Sequence, residues 1–180
     1  MDEEFKEIFF SEIISITGGL FAGTMLAVFV NKLFLIPGLL ILLPGFLEMR
    51  GNISGSLAGR LSVDLHLKKL KPALKFKNNV LLKDNIVASS LLVVLVAFIL
   101  GIVAYLANFF IFNINNPAII YIAVIAAILS NIIEISLTVI STFWLFKHGY
   151  DPDNIMGPYI TTTGDIISVF SILLAIMVVA

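Results

Sequence analysis

GPYITTTGD, residues 157–165, opens the last hydrophobic segment of the chain and places an aspartate inside it. About 24 residues run from Gly157 to Ala180, and as a helix rising about 1.5 Å per residue they just cross a hydrocarbon layer of about 30 Å. Asp165 would lie roughly a third of the way across, where an ionised carboxylate costs at least about 2.5 kcal/mol unless a partner, water or a cation offsets it. The stretch therefore predicts a membrane-spanning helix with a functional carboxylate.

The composition of the chain is that of a membrane protein. Hydrophobic residues make up 59% and charged residues 13% of its 180 residues, against roughly 25% charged residues in an ordinary soluble domain. The sequence has no cysteine, which excludes disulfides and thiolate metal sites. We therefore predict one all-α integral-membrane domain that comprises residues 1–180 and is embedded in the lipid bilayer.

Apolar runs divide the chain into five predicted transmembrane helices, at residues 13–36, 37–61, 86–110, 118–146 and 158–179. Residues 62–85 form a loop that contains six lysines, and the positive-inside rule places this loop in the cytoplasm. With apolar spans on both sides, contact with anionic lipid explains the lysines better than nucleic-acid binding does. We expect a plasma-membrane protein with a cytoplasmic amino terminus and an extracellular carboxyl terminus.

The second span, PGLLILLPGFLEMRGNISGSLAGRL, is the least regular of the five, and Pro44 is expected to break or kink it. Beyond Pro44 a glycine row lies beside a polar row: the glycines are Gly51, Gly55 and Gly59, and the polar residues are Glu48, Asn52, Ser56 and Arg60. Polar groups at membrane depth are tolerated where they line protein or water. We therefore expect this span to border the functional cavity. The alternative for the individual charges is an ion pair of Glu48 with Arg50 or Arg60.

The fourth and fifth spans each carry an acidic residue on a small or polar face. Glu134 lies near the middle of the fourth span, where a carboxylate indicates a functional site or a protonated acid that hydrogen-bonds another helix. In the fifth span Thr161, Asp165 and Ser168 share one helical face, with Gly164 beside it. Asp165 is therefore expected to face protein or water, not lipid.

Two local patterns predict how helices pack and begin. Gly19 and Gly23 in the first span form a small-residue pair, with Gly18 and Ala22 beside it, which allows a second helix to approach closely. Residues 151–154 predict a turn, and Pro158 follows at a position suited to the first turn of a helix.

An aspartate flanked by threonines at membrane depth suits a hard cation. Mg²⁺ is usually bound through one or two carboxylates with water and other oxygen ligands, which Asp165, Thr161 and Thr162 can supply. One Asp165 per chain makes a poor site, but a two-fold homodimer would bring two together. These two would repel each other until a divalent cation lies between them or one is protonated.

Three functions are compatible with these residues. The first is a transporter or channel for divalent cations, most simply Mg²⁺. The second is an exchanger coupled to sodium or protons, with Glu134 or Glu48 as a second titratable site. The third is a non-transporting membrane subunit whose glycine faces dock a partner. An enzyme is not expected, because neither a nucleophile with its base nor a carboxylate cluster is visible in the sequence.

EMRGNISGSLAGRL, residues 48–61, resembles the Arg/Gly-Gly-Asn-x-x-Gly region of the MgtE family of magnesium transporters. The Asp151-Pro152 turn, followed by Gly157-Pro158, Thr161-Thr162 and Asp165, is similar to the start of that family's fifth helix. The order and spacing of the five helices are also similar to those of the family. Within it, the chain resembles the single-domain archaeal members, or one half of the tandem-domain eukaryotic solute carriers.

This resemblance implies a homodimer with a pore at its two-fold axis, lined by the second and fifth helices. Asp165 matches the pore aspartate that holds a hydrated Mg²⁺, with Thr161 and Thr162 as further metal-site residues. The secondary and pore-lining candidates are Glu48, Gly51, Asn52, Gly55, Ser56, Glu134, Gly164 and Ser168.

Overall fold

The computed structural model describes residues 3–34, 36, 38–72 and 79–179. These residues form five helices: α1 (Glu3–Phe34), α2 (Gly38–His66), α3 (Val80–Phe112), α4 (Ala118–Lys147) and α5 (Pro152–Val179). The predicted all-helical fold is confirmed. Four helices, α1, α3, α4 and α5, are long and apolar enough to cross a membrane. Helix α2 is also long, but its charged and amide side chains lower its hydropathy.

Helix α5 lies at the centre of the bundle and contacts α1, α2 and α4, whereas α3 packs against α2 and α4. The main apolar core joins α2, α3, α4 and α5; its fully buried members include Phe46, Val93, Ala97, Ile119, Ile122 and Ala175. Helix α1 packs mainly on α5 and leaves most of its large apolar side chains exposed. Such a surface is suited to contact with lipid tails.

Small residues allow the helices to approach closely. A Cβ added to Gly101 of α3 would lie 3.0 Å from the Cα of Ile120 and 3.2 Å from the Cβ of Ala123, both on α4. In a membrane, close van der Waals packing of this kind replaces the hydrophobic effect as the main force between helices.

Helix α1 contacts α5 at Gly18, whereas no described residue lies beside Gly19 or Gly23. Ala22 is buried, and a Cβ on Gly18 would collide with the methyl group of Thr162. A Cβ on Gly19 or Gly23 would meet no described atom within 4 Å. Gly19 and Gly23 lie on a neighbouring, exposed face of the same helix, so no contact among the described residues tests the prediction that another helix packs against them.

Two expectations about prolines are corrected: α2 is not broken at Pro44, and α5 does not begin at Pro158. Helix α2 continues through Pro44, because a single proline removes one backbone hydrogen bond while the turns on either side remain helical. Helix α5 begins at Pro152 instead of Pro158, and the carboxylate of Asp151 accepts a hydrogen bond from the N–H of Asp153 at 3.0 Å. Pro158 cannot donate to the carbonyl of Asn154. The Ser11 hydroxyl lies 3.4 Å from this carbonyl, but its shorter hydrogen bond, at 2.8 Å, goes to the carbonyl of Ile8.

The basic segment between α2 and α3 is shorter than predicted from the sequence, because α2 extends to His66 and α3 begins at Val80. Lys68, Lys69 and Lys71 lie in this connection and Lys83 in the first turn of α3. Its other two lysines, Lys75 and Lys77, lie outside the described residues.

Candidate functional site

A pocket of about 370 Å³ lies between α2 and α5. Its lining residues are Pro44, Leu47, Glu48, Gly51, Asn52 and Gly55 on α2 and Gly157, Thr161 and Asp165 on α5. On both helices these residues recur at steps of three or four, so each helix contributes one continuous face. The structure thus brings the polar row of the second span together with the aspartate of the fifth.

Two oxygen-bearing side chains extend from each wall of the pocket. On α2, the side-chain amide of Asn52 donates a hydrogen bond to Glu48 Oε1 at 3.0 Å and so orients this carboxylate. On α5, the Thr161 hydroxyl donates to the carbonyl of Gly157 at 3.0 Å. Because the hydroxyl proton is used in this bond, the oxygen lone pairs remain available to a water molecule or a cation.

The pocket carries two negative groups and no balancing cation among its lining residues. Asp165 is half-buried, and it lines the same pocket as Glu48 from the opposite wall. The ion pair that the sequence allowed between Glu48 and Arg50 or Arg60 is not formed. Arg60 instead donates to Asn85 Oδ1 at 2.8 Å. A site with only oxygen ligands and net negative charge favours a hard cation.

Three glycines on the walls of the pocket have open space beside them. A Cβ added to Gly51, Gly55 or Gly157 would meet no described atom within 4 Å. The pocket therefore has room on its outer side for water, a cation or another protein surface.

Five of the other residues singled out from the sequence do not line the pocket. Thr162 is adjacent to Thr161, and because successive helical residues differ by about 100° in direction its hydroxyl faces α1, where it contacts the Ser15 hydroxyl at 2.9 Å. The other four are Ser56, which accepts a hydrogen bond from Arg60 at 2.8 Å, and Glu134, Gly164 and Ser168, which are buried between helices.

Arg50 and Glu134 form a buried ion pair that the sequence analysis missed. Their side chains are 0% and 1% exposed. Arg50 Nε lies 2.8 Å from Glu134 Oε2, the neighbouring Nη2 contacts the same oxygen, and Nη1 donates to Asn131 Oδ1 at 3.2 Å. The sequence did contain a signal for this pair: Arg50 and Glu134 are opposite charges in two apolar spans, and each alone is costly in a membrane.

A second cluster of metal-ligating groups lies where α2 ends and α5 begins. His66, Asp151 and Asp153 place their ligand atoms within 4.8 Å of one another, and His66 Nε2 lies 3.5 Å from Asp151 Oδ1. His66 and Asp151 are about half exposed. This geometry is that of a surface contact which joins the ends of the two helices that line the pocket.

Comparison with known families gives one match. The MgtE family model, described as a divalent cation transporter, matches residues 43–175, about three-quarters of the chain. The matched region includes every residue that lines the pocket between α2 and α5. No curated protein and no solved structure matches the chain.

Proposed function

The chain belongs to the MgtE family of divalent cation transporters, and we propose that it carries Mg²⁺ across the plasma membrane along a path through the pocket between α2 and α5. The observation that carries this proposal is the shared lining of the pocket by Glu48 and Asp165, from two different helices. Asp165 is the primary cation-binding residue, and Thr161, Glu48 and Asn52 provide further oxygen atoms.

The size of the pocket supports binding of a hydrated ion. Mg²⁺ prefers six oxygen ligands in an octahedron and gives up its waters reluctantly. Six waters at about 30 Å³ each occupy about 180 Å³, and the pocket offers about 370 Å³. The carboxylates can therefore hold the ion through its water shell, with room left for it to move on.

A homodimer with its two-fold axis beside the pocket accounts for the polar outer surface of α2 and α5. Glu48, Asn52, Ser56 and Thr161 are exposed on a protein whose other exposed side chains are largely leucine, valine, isoleucine and phenylalanine. Polar side chains at membrane depth face protein or a water-filled cavity, not lipid. A second copy would cover this face and bring two Asp165 carboxylates to one ion.

In the proposed topology all five helices cross the membrane: the four apolar helices α1, α3, α4 and α5, and also α2. Helix α2 has 29 residues, about 44 Å at about 1.5 Å per residue, which is enough to cross the membrane. Its low hydropathy is compatible with a crossing because one face packs in the core and the other lines the pocket. The lysines between α2 and α3 favour a cytoplasmic amino terminus and an extracellular carboxyl terminus.

Purified protein in liposomes loaded with a magnesium-sensitive dye tests the transport proposal. We expect external Mg²⁺ to enter these liposomes without a sodium or proton gradient, while protein-free liposomes show only leakage. Influx that requires such a gradient would instead identify an exchanger, for which Glu48 is a better second titratable site than Glu134, because Glu134 is paired with Arg50. No influx, together with co-purification of another membrane protein, would identify a non-transporting subunit.

A further inference from the structure

The buried carboxylate of Glu134 lies between the backs of the two helices that form the pocket. Its Oε2 atom accepts from the guanidinium of Arg50 on α2. Its Oε1 atom has no hydrogen-bond partner among the described residues and points at α5, where a Cβ added to Gly164 would lie only 2.9 Å away. One side chain of α4 thus contacts α2 and directly faces α5.

Each of these two contacts is directly adjacent in sequence to a residue that lines the pocket. Arg50 precedes Gly51, and Gly164 precedes Asp165, while Gly51 and Asp165 lie on opposite walls of the pocket. A shift of the Glu134 carboxylate relative to either helix would therefore change the separation of the two walls. It would also change the distance from Asp165 to the oxygen atoms of α2.

We propose that Arg50, Glu134 and Gly164 form a positioning unit that sets the width of the cation pocket from behind, without contacting the ion. The inference rests on the proposed cation pathway and extends it to three residues outside the lining of the pocket. It assigns Arg50 and Glu134 a role in cation affinity, whereas a purely structural ion pair would affect only stability. A tenfold change in cation affinity corresponds to only about 1.4 kcal/mol, so small changes in this unit are measurable.

Gly164→Ala tests the unit with one added methyl group. We expect this variant to raise the Mg²⁺ concentration that gives half-maximal influx at least about tenfold, which is about 1.4 kcal/mol, because the methyl group displaces the Glu134 carboxylate or the backbone before Asp165. Glu134→Asp in the Gly164→Ala background shortens the acidic side chain by one methylene group. This second change is expected to bring the half-saturating concentration back toward that of the natural protein.

Gly101→Ala is the matched control, because its Cβ would also be crowded, at 3.0 Å from the Cα of Ile120, but at the contact of α3 with α4 outside the pocket. This control is expected to lower thermal stability and leave the half-saturating concentration unchanged. The positioning role would be overturned if the half-saturating concentration rose equally in Gly101→Ala and Gly164→Ala, or if it did not change in Gly164→Ala.

Arg50→Lys provides an independent test if Gly164→Ala does not fold. Lysine keeps the positive charge but cannot reproduce the two-nitrogen contact of the guanidinium with Glu134 Oε2, so a raised half-saturating concentration is expected, and an unchanged one overturns the inference. Asp165→Asn separates this inference from the pathway itself. Unimpaired influx in Asp165→Asn would overturn both the cation pathway and the positioning role. Impaired influx in Asp165→Asn, together with unchanged half-saturating concentrations in Gly164→Ala and Arg50→Lys, would overturn the positioning role alone.

Discussion

Replacing Asp165 with asparagine is expected to reduce Mg²⁺ influx into liposomes at least about tenfold. The amide keeps the size of the side chain and removes the charge that faces the pocket. At an effective dielectric constant of about 20 and a separation of about 5 Å, a divalent ion and one carboxylate attract by about 7 kcal/mol. The loss of water from the ion and the carboxylate offsets most of this attraction. If a fifth of it remains, about 1.4 kcal/mol, removing the charge weakens cation binding by a factor of about ten.

Asp84→Asn is the control for this substitution. Asp84 is an exposed aspartate near the start of α3 and does not line the pocket between α2 and α5, so its amide variant is expected to transport Mg²⁺ at the natural rate. Glu48→Gln should reduce influx less than Asp165→Asn, because Glu48 is exposed and Asp165 is half-buried. If Asp165→Asn transported Mg²⁺ as fast as the unsubstituted protein, the ion would have to take another path.

Arg50→Ala is expected to destabilise the protein by about 3–5 kcal/mol, the range observed when one partner of a buried ion pair is removed. The physical reason is that the carboxylate of Glu134, 1% exposed, would remain without its cation in the interior of the bundle. For a chain of this size the loss corresponds to a fall in Tm on the order of 10 °C. Thermal unfolding in detergent, followed by circular dichroism, measures it.

Arg60→Ala is a matched control on the same helix. Arg60 is exposed, and its hydrogen bonds go to Ser56, Asn85 and Ser89, so its removal should cost less than about 1 kcal/mol. The double variant Arg50→Met with Glu134→Leu should recover much of the stability lost in Arg50→Ala, since apolar replacement of a whole buried pair is often neutral or favourable. Equal losses of stability for Arg50→Ala and Arg60→Ala would show that the buried pair contributes no more than a surface contact.

The residues that line the pocket were predictable from the sequence because each is unusual at its depth. Glu48, Asn52, Thr161 and Asp165 interrupt apolar runs, and helical periodicity assigns them to one face of each helix. The structure places all four around one pocket. What the sequence could not provide was the angle between the two helices, on which the separation of the two carboxylates depends.

The residues that pack helices together were predicted less well. From the sequence, Thr162 is expected at the metal site and Arg50 only as an alternative ion-pair partner of Glu48. In the structure, Thr162 bonds α1 and Arg50 is buried against Glu134. Both contacts join residues more than 80 positions apart, so they depend on which helices are neighbours, and local periodicity does not encode this. The same reason applies to the contact of α1 with α5: Gly18 and Gly19 are equally small, and only the position of α5 determines that Gly18 faces Thr162.

The most direct test of the cation pathway is the location of a bound divalent ion in an experimental structure of the protein with Mn²⁺, which anomalous scattering identifies. We expect one ion at the two-fold axis of a dimer, where the pocket between α2 and α5 of one copy faces the same pocket of the second copy. Asp165 would hold this ion directly or through water. A bound ion at His66, Asp151 and Asp153 with none near Asp165, or a dimer whose two pockets face away from each other, would contradict it.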